Sequence, residues 1–286
     1  TYAAYDGKWS SDNEAVATVD AQRGLVTAVA LGTANISAMV NGATASVAVT
    51  VVAAEVAGAD ILNVDFRRRS AQDWTGKHTA DRSHYSGGTR MDKTLRQPVA
   101  MMDGKGGLGY KLTTDDYSAM KNGFTMELLF KVPNTKADGK NYRGLFDNVQ
   151  NDGMGLHLDK DDGAKLTFEV KQGASSSKTA SVGGVKANTW YHVVAVNDNA
   201  GTVSGQAQMT LYVNGTKGTS SPDAQAVGSQ EKSNTIYIGA EESLNNGGPE
   251  FPAVRNTAVA FARIHGKALS ADDAASLYAK SGLQQQ

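Results

Sequence analysis

Cysteine is absent from this 286-residue chain, which excludes disulfides, thiolate metal sites and a cysteine nucleophile. Bacterial exported proteins often avoid thiols, so the absence fits export. No run of eighteen apolar residues occurs, so no helix of membrane-spanning length is expected. No signal peptide is present. Charge of one sign is also missing. The net charge is −1, and no basic stripe carries interleaved aromatics, which argues against nucleic acid and against an anionic membrane as partners. The chain opens at Thr1 without methionine and reads as a piece of a longer precursor.

Catalytic signatures are missing as well. The five histidines (His78, His84, His157, His192, His265) are scattered and form no His-Glu-x-x-His pattern. There is no Gly-x-Ser-x-Gly elbow and no phosphate-cradling loop.

What is present is strand. Hydrophobic residues make up 40% of the chain, enough for a packed core, and the length suits two domains or one large β domain. In residues 1–52, Ala15 to Val19, Leu25 to Val29, Ala34 to Val40 and Ala43 to Val52 alternate. Turns at Arg23-Gly24, Gly32 and Asn41-Gly42 separate them, the spacing of an antiparallel sandwich. Trp9 is expected in its core. Residues 53–59 (Ala-Ala-Glu-Val-Ala-Gly-Ala) read as a short linker of small residues, and its brevity limits freedom between the domains.

Residues 60–283 read as a second domain. Its clearest strands are Phe124 to Val132, Trp190 to Asn197 and Gln208 to Val213, the last ending in Asn214-Gly215, the strongest short turn signal. Others are Ile61 to Phe66, Val99 to Met102, Gly107 to Leu112, Arg143 to Asn148, Gly155 to Leu158, Lys165 to Lys171, Thr235 to Ile238 and Ala258 to His265. The only clear helix starts after Ser270, a good N-cap with Asp272-Asp273 in its first turn, and stops near Gly282. Arg67 to Met91 is a long polar loop, which in a compact domain is functional or mobile.

Two resemblances follow from these segments. Trp9-Ser10-Ser11-Asp12-Asn13-Glu14-Ala15-Val16-Ala17-Thr18-Val19-Asp20, Gly24-Leu25-Val26-Thr27-Ala28-Val29 and Gly32-Thr33-Ala34-Asn35-Ile36-Ser37-Ala38 closely resemble the bacterial group 2 immunoglobulin-like domain. That family has roughly two more strands before the tryptophan, so the resemblance implies a partial sandwich with an unpaired edge. The preceding strands, or another chain, would fill it. Phe124–Val132, Trp190–Val194, Leu211–Gly215 and the run Ala262-Arg263-Ile264-His265-Gly266-Lys267-Ala268-Leu269-Ser270 resemble the laminin-G-like, concanavalin-A-like jelly rolls. The implied fold class is all-β: a partial immunoglobulin-like sandwich followed by a jelly-roll sandwich.

The second resemblance also implies where to look for chemistry. Laminarinase-type hydrolases of this fold carry Glu-x-Asp-x-x-Glu on one strand, and retaining chemistry needs two carboxyls about 5 Å apart. The comparable strand here, Thr125-Met126-Glu127-Leu128-Leu129-Phe130, has one carboxylate. Pentraxins share the broad fold and hold calcium through an Asp-Asn pair and an acidic run after a Leu-Gly strand end. By that resemblance Asn151, Asp152, Glu241 and Glu242 would be calcium ligands, drawn from Asp147-Asn148-Val149-Gln150-Asn151-Asp152 and Glu241-Glu242-Ser243-Leu244-Asn245-Asn246-Gly247-Gly248. The bland reading is two solvated polar loops. Asp159-Lys160-Asp161-Asp162-Gly163 reads as ordinary turn chemistry.

Sugar binding needs an aromatic platform with planar polar groups. Trp74, His78 and Tyr85 in the long loop, with Asn245, are the candidates, against the bland reading that Trp74 anchors the loop. Trp190 and His192 belong to a strand motif and read as core. Arg67-Arg68-Arg69 reads as a solvated strand end, or as a contact for an anionic glycan.

The expected role is a non-catalytic accessory region of a large secreted or surface bacterial protein, a glycoside hydrolase by implication. It binds carbohydrate or a cell-surface glycan, or positions neighbouring domains. The alternative is a structural or adhesive module that binds protein or acts only as a spacer. An enzyme of another kind would need two close carboxylates with displaced pKa values in a cleft.

Overall fold

Alternating side chains decide most of the strands, and the sheets follow from which of their faces can be buried. The computed structural model describes residues 8–30, 32–51, 58–137, 139, 141–173, 176–228, 234–243 and 248–283. The chain divides into two compact units, Thr1–Val56 and Ala57–Gln286. Most of the expected linker lies outside the described residues.

The first unit contains β1 (Lys8–Ser11), β2 (Ala17–Val19), β3 (Val26–Ala28), β4 (Gly32–Val40) and β5 (Ala43–Val51). β1, β4 and β5 form one antiparallel sheet, and β2 pairs with β3. Its core is small, built on Val16, Ala17 and Ala34 with Val51 against them. Trp9 is half-buried rather than central. Among the described residues β5 pairs with β4 alone, in a register that sets Ile36 opposite Val47. The nine residues of β5 carry no charge and no proline, and Val47 is 60% exposed. Among the described residues the sheet therefore ends in a long edge without charge or proline, two of the usual protections against strand pairing.

The second unit begins with β6 (Leu62–Asp65), β7 (Ala80–Asp81), β8 (Thr89–Met91), β9 (Pro98–Met101), β10 (Leu108–Lys111), helix α1 (Thr114–Met120) and β11 (Phe124–Lys131). It continues with β12 (Arg143–Asp147), α2 (Val149–Asp152), β13 (Met154–Leu158), β14 (Leu166–Lys171), β15 (Ser177–Val182) and β16 (Trp190–Asp198). It closes with β17 (Gln208–Val213), β18 (Thr216–Ser221), β19 (Thr235–Ile238), β20 (Glu241–Glu242), β21 (Pro249–Glu250), β22 (Ala258–His265) and α3 (Ala271–Lys280).

Two large antiparallel sheets result. One runs β15-β14-β13-β12-β19-β10-β7, the other β18-β17-β16-β11-β22-β9-β8 with β6 also on β22. The inward residues of both interdigitate in one core that includes Tyr110, Phe124, Met126, Leu128, Phe130, Phe146 and Phe168. Phe124 of β11 meets Phe168 of β14 edge to face, with centroids 6.0 Å apart, so the two layers touch through aromatic rings. The expected Asn-Gly turn forms between β17 and β18, with both residues at positive φ (51° and 75°).

Two polar strands and a short helix add to the expected elements. β15 and β18 were not anticipated because they are polar, as Ser-Lys-Thr-Ala-Ser-Val and Thr-Lys-Gly-Thr-Ser-Ser. Each is the outermost strand of its sheet, where apolar alternation is not required. Helix α1 was also missed. It rests on a capping box in which Thr113 and Asp116 satisfy each other's backbone N–H groups.

The outward face of β11 is buried too. Glu127 is held by His192 Nε2 at 2.8 Å and by Arg263 Nη1 at 3.0 Å. Arg263 is its cross-strand partner on β22 and reaches on to Asn63 and Asp65. Burial opposes ionisation of Glu127, but the Arg263 charge and the His192 hydrogen bond outweigh it and hold the carboxyl well below the usual range. Arg67 joins the same network through Asp65 at 2.6 Å, so the first arginine of the run is paired rather than solvated.

Glu127→Ala would leave Arg263 without its main counter-charge. It should destabilise this unit by about 3 kcal/mol, read as a lower midpoint in denaturant unfolding. A midpoint unchanged from wild type would show that the network contributes nothing net.

Candidate functional site

The expected sugar platform is built on one turn. Asp73 lies beneath it, and both its oxygens are filled. Oδ1 accepts from the backbone N–H groups of Asn63 (2.9 Å) and Thr75 (3.0 Å). Oδ2 accepts from the Thr75 hydroxyl (2.5 Å) and His78 N–H (3.0 Å) and lies 2.9 Å from His78 Nδ1. His78 Nε2 lies 2.9 Å from Asp116, the capping carboxylate of α1. His78 thus bridges two carboxylates and ties the long loop to a helix. Burial would lower its pKa, but the two carboxylates raise it on balance, and Asp73 is held well below its ordinary value.

From this fixed turn Trp74 projects outward, 39% exposed, with the Arg68 guanidinium 4.4 Å from its ring centroid. Tyr85 turns inward instead. It is 8% exposed, and its hydroxyl donates to the Met101 carbonyl at 3.1 Å. The platform expected from Trp74, His78 and Tyr85 therefore resolves into one presented ring, one buried anchor and one core residue. Asn245 lies outside the described residues. Trp190 and His192 are buried, as their strand motif implied.

The residues expected to bind calcium fall differently. Asp152 Oδ1 accepts the Gly173 N–H. The side chain of Asn151 lies outside what is described. Glu242 accepts the Thr235 N–H at 3.2 Å through Oε1, while its Oε2 and that of Glu241 have no hydrogen-bond partner. Glu241 is 2% exposed, and burial, then the nearby Asp147 carboxylate, push its pKa up to about 9. Burial raises Glu242 to about 7. Both environments favour the neutral carboxyl, a poor calcium ligand. Among the described residues no three His, Cys, Asp or Glu groups gather to hold a metal ion; the Asn151 side chain and Asn245, which would belong to such a set, lie outside the described residues.

Asp147 belongs to that corner and was not singled out alone. Its Oδ2 lies 3.0 Å from His157 Nδ1, and Oδ1 accepts the Val149 N–H at 2.8 Å. Gly155 faces it across the β12–β13 pair, where a Cβ would lie 2.2 Å from the carboxyl carbon; only glycine admits the carboxylate there. Burial raises the Asp147 pKa. Asp147 and Glu241 are thus two neighbouring carboxyls with displaced pKa values, but Asp147 is 0% exposed and Glu241 nearly so. Neither is open to solvent, and Glu127 is buried as well. Asp159 accepts the Asp161 and Asp162 N–H groups at 2.8 and 3.1 Å, ordinary turn bonding.

Residues 105–275 match the concanavalin A-like lectin/glucanases superfamily, more than half of the chain, and the chain belongs to that superfamily. Residues 3–51 match the bacterial Ig-like domain (group 2). Domains of these kinds are typically non-catalytic modules that bind carbohydrate or protein, and no catalytic domain is evident in the matched residues. No curated protein matches the chain.

Among solved structures, the receptor-binding domain of botulinum neurotoxin mosaic serotype C/D is similar at 16% identity and a TM-score of 0.58, over 78% of this chain and 51% of that one. A botulinum neurotoxin type C structure, from work on its cell entry through two ganglioside molecules, is similar at 14% identity and 0.55, over 78% and 51%. The binding domain of botulinum neurotoxin DC, solved with rat synaptotagmin II, is similar at 13% and 0.54, over 77% and 51%. The chain spans about half the length of these structures, and at such identities the likeness is one of fold. No helix among the described residues is long and apolar enough to cross a membrane.

The titrating groups give a pH dependence with two limbs. Asp65, Asp73 and Asp116 are held below their ordinary values, so their stabilisation is present above the unfolded carboxylate range and is lost as acid protonates them. Glu241, Glu242 and His78 are raised. The folded state keeps their protons where the unfolded state has released them, so stability falls as pH rises, by at most about 1.4 kcal/mol per unit for each group. Melting temperature should peak within the unfolded carboxylate range, at roughly pH 4 to 5, and fall above it. Glu241→Gln should raise it at pH 8 and flatten the alkaline limb, by about 2–4 °C per kcal/mol regained. A wild-type curve still climbing at pH 8 would contradict the alkaline limb. Millimolar calcium after EDTA should leave the melting temperature unchanged, whereas a bound ion would raise it.

Proposed function

We propose that the jelly-roll unit is a non-catalytic, extracellular recognition module that binds carbohydrate through the surface around Trp74. The observation that carries this reading is the exposed indole ring held on a turn that Asp73, His78 and Asp116 fix from below, with a guanidinium stacked on it. A sugar ring meets such a surface through its C–H face, and pre-set geometry lowers the ordering cost of weak binding. The close carboxylates are sealed from solvent, which supports recognition over hydrolysis. The superfamily supports the same class of ligand. In this reading the module serves a secreted or surface bacterial protein and brings a neighbouring catalytic domain, such as a glycoside hydrolase, to its substrate.

A glycan array probed with the wild type and with Trp74→Ala tests this. The wild type should retain a set of glycans, and Trp74→Ala should lose roughly tenfold in affinity for them with an unchanged melting temperature. Equal binding by both proteins, or none by either, would overturn it.

A further inference from the structure

A recess lies on the outer face of the β18-β17-β16-β11-β22-β9-β8 sheet, at its β16–β18 end. Its floor is the outward row of β16 and β17, with Val196 and Asp198 beside Gln208, Thr210 and Tyr212. Leu269, Ser270 and Ala271, the entry to α3, make one wall. Val203 and Ser204, from the loop after β16, make another, and Lys217 of β18 stands at the rim opposite Tyr212.

The recess holds about 190 Å³. Small-molecule sites usually run from roughly 300 Å³ upward, so this one admits a single ring-sized group and not an extended chain.

The walls are set in advance. Asp198 is buried beneath the loop and collects the N–H and hydroxyl of Thr202 (2.7 and 2.9 Å), the N–H of Val203 (3.0 Å), and the N–H and hydroxyl of Ser204 (2.9 and 2.7 Å). These bonds fix Val203, nearly half exposed, as an apolar lip. The wall from α3 is fixed by Thr125, whose hydroxyl donates to the Lys267 carbonyl at 2.9 Å and accepts the Leu269 N–H at 3.0 Å. Ser270 is locked in the capping box with Asp273.

The lining selects the ligand chemistry. Val203 and the Tyr212 ring offer apolar surface, above a floor in which Val196 is buried. The Gln208 amide, the Tyr212 hydroxyl and the Lys217 ammonium offer polar tips at its border. The charges of Asp198 and Lys217 offset each other, so no net charge favours an ion. An apolar face bordered by amide, hydroxyl and ammonium, in a space for one ring, matches a pyranose, which presents C–H groups on one face and hydroxyls around its edge.

We infer that this recess binds one neutral pyranose residue, as a second sugar site separate from the Trp74 surface. The inference shares with the proposed function only the class of ligand.

The test is a titration of the ¹⁵N-labelled full chain, followed by amide NMR, with glucose, galactose, mannose and N-acetylglucosamine in turn. At least one sugar should shift the amides of Gln208 to Lys217 and of Leu269 to Ala271, saturating in the millimolar range. Tyr212→Ala should weaken that response roughly tenfold. The exposed Lys217→Ala should weaken it too, and guards against a Tyr212 variant that folds poorly. Trp74→Ala should leave it intact, which separates this site from the other. If none of the four sugars shifts these amides, or if both variants respond like wild type, the inference is wrong. Loss of array binding in Trp74→Ala with the recess still responding would uphold both sites. Response in the recess alone would uphold this site and sink the Trp74 reading.

Discussion

Strand β11 has no face toward water, and the rest of the jelly roll is arranged around that fact. Phe124, Met126, Leu128 and Phe130 point into the core between the sheets. Thr125, Glu127 and Leu129 point the other way and are equally buried. A carboxylate on such a face must be matched or it costs several kcal/mol. The antiparallel register supplies the match, since it sets Arg263 directly opposite Glu127 on β22. The same register sets Asn63 opposite Arg263 on β6. One ion pair thereby fixes three strands side by side. Thr125, on the same face, grips the segment leading into α3 from both sides.

Sealing these faces separates structure from recognition. The carboxylates that sequence comparison with hydrolases would select, Glu127 above all, lie where water and substrate do not reach. Asp147 and Glu241 have the displaced acidities expected of an acid–base pair, yet burial alone accounts for most of the effect. A perturbed pKa marks a functional site only when the group can meet a ligand. What the molecule offers to solvent is its loops and the outward rows of its strands, the usual location of function on a shared fold.

The legibility of the sequence follows the same division. Central strands such as Phe124–Lys131 and Trp190–Asp198 were plain because both faces demand apolar or matched residues. The edge strands Ser177–Val182 and Thr216–Ser221 were not, because a polar outermost strand satisfies its backbone on one side only and needs no apolar alternation. The spacing Thr113-x-x-Asp116 was a readable capping signal for the helix Thr114–Met120. Trp74 could be singled out as a loop aromatic, but not the division of labour between it and His78. That depends on Asp116, 38 residues beyond His78 in the chain. The recess beside Tyr212 was invisible for a related reason. Its lining comes from residues 196–217 and 269–271, and only the pairing of β16 with β17 and the placement of α3 bring their outward members together.

Both candidate surfaces rest on the same device, a carboxylate sunk beneath a loop. Asp73 and Asp198 are each about 1% exposed, and each gathers the N–H and hydroxyl groups of the turn above it. Burial opposes the charge of Asp198, but the Ser204 hydroxyl and neighbouring backbone N–H groups bring its pKa down to about 2. Asp73 is depressed in the same manner. A charged acceptor with several short hydrogen bonds holds a loop more firmly than apolar contact could, because each bond has a direction. Weak ligands such as single sugar rings gain little from any one contact, so the affinity of a shallow site depends on how little ordering remains to be done when the ligand arrives. The buried aspartates do that ordering during folding, Asp73 for the turn that carries Trp74 and Asp198 for the loop beside Tyr212.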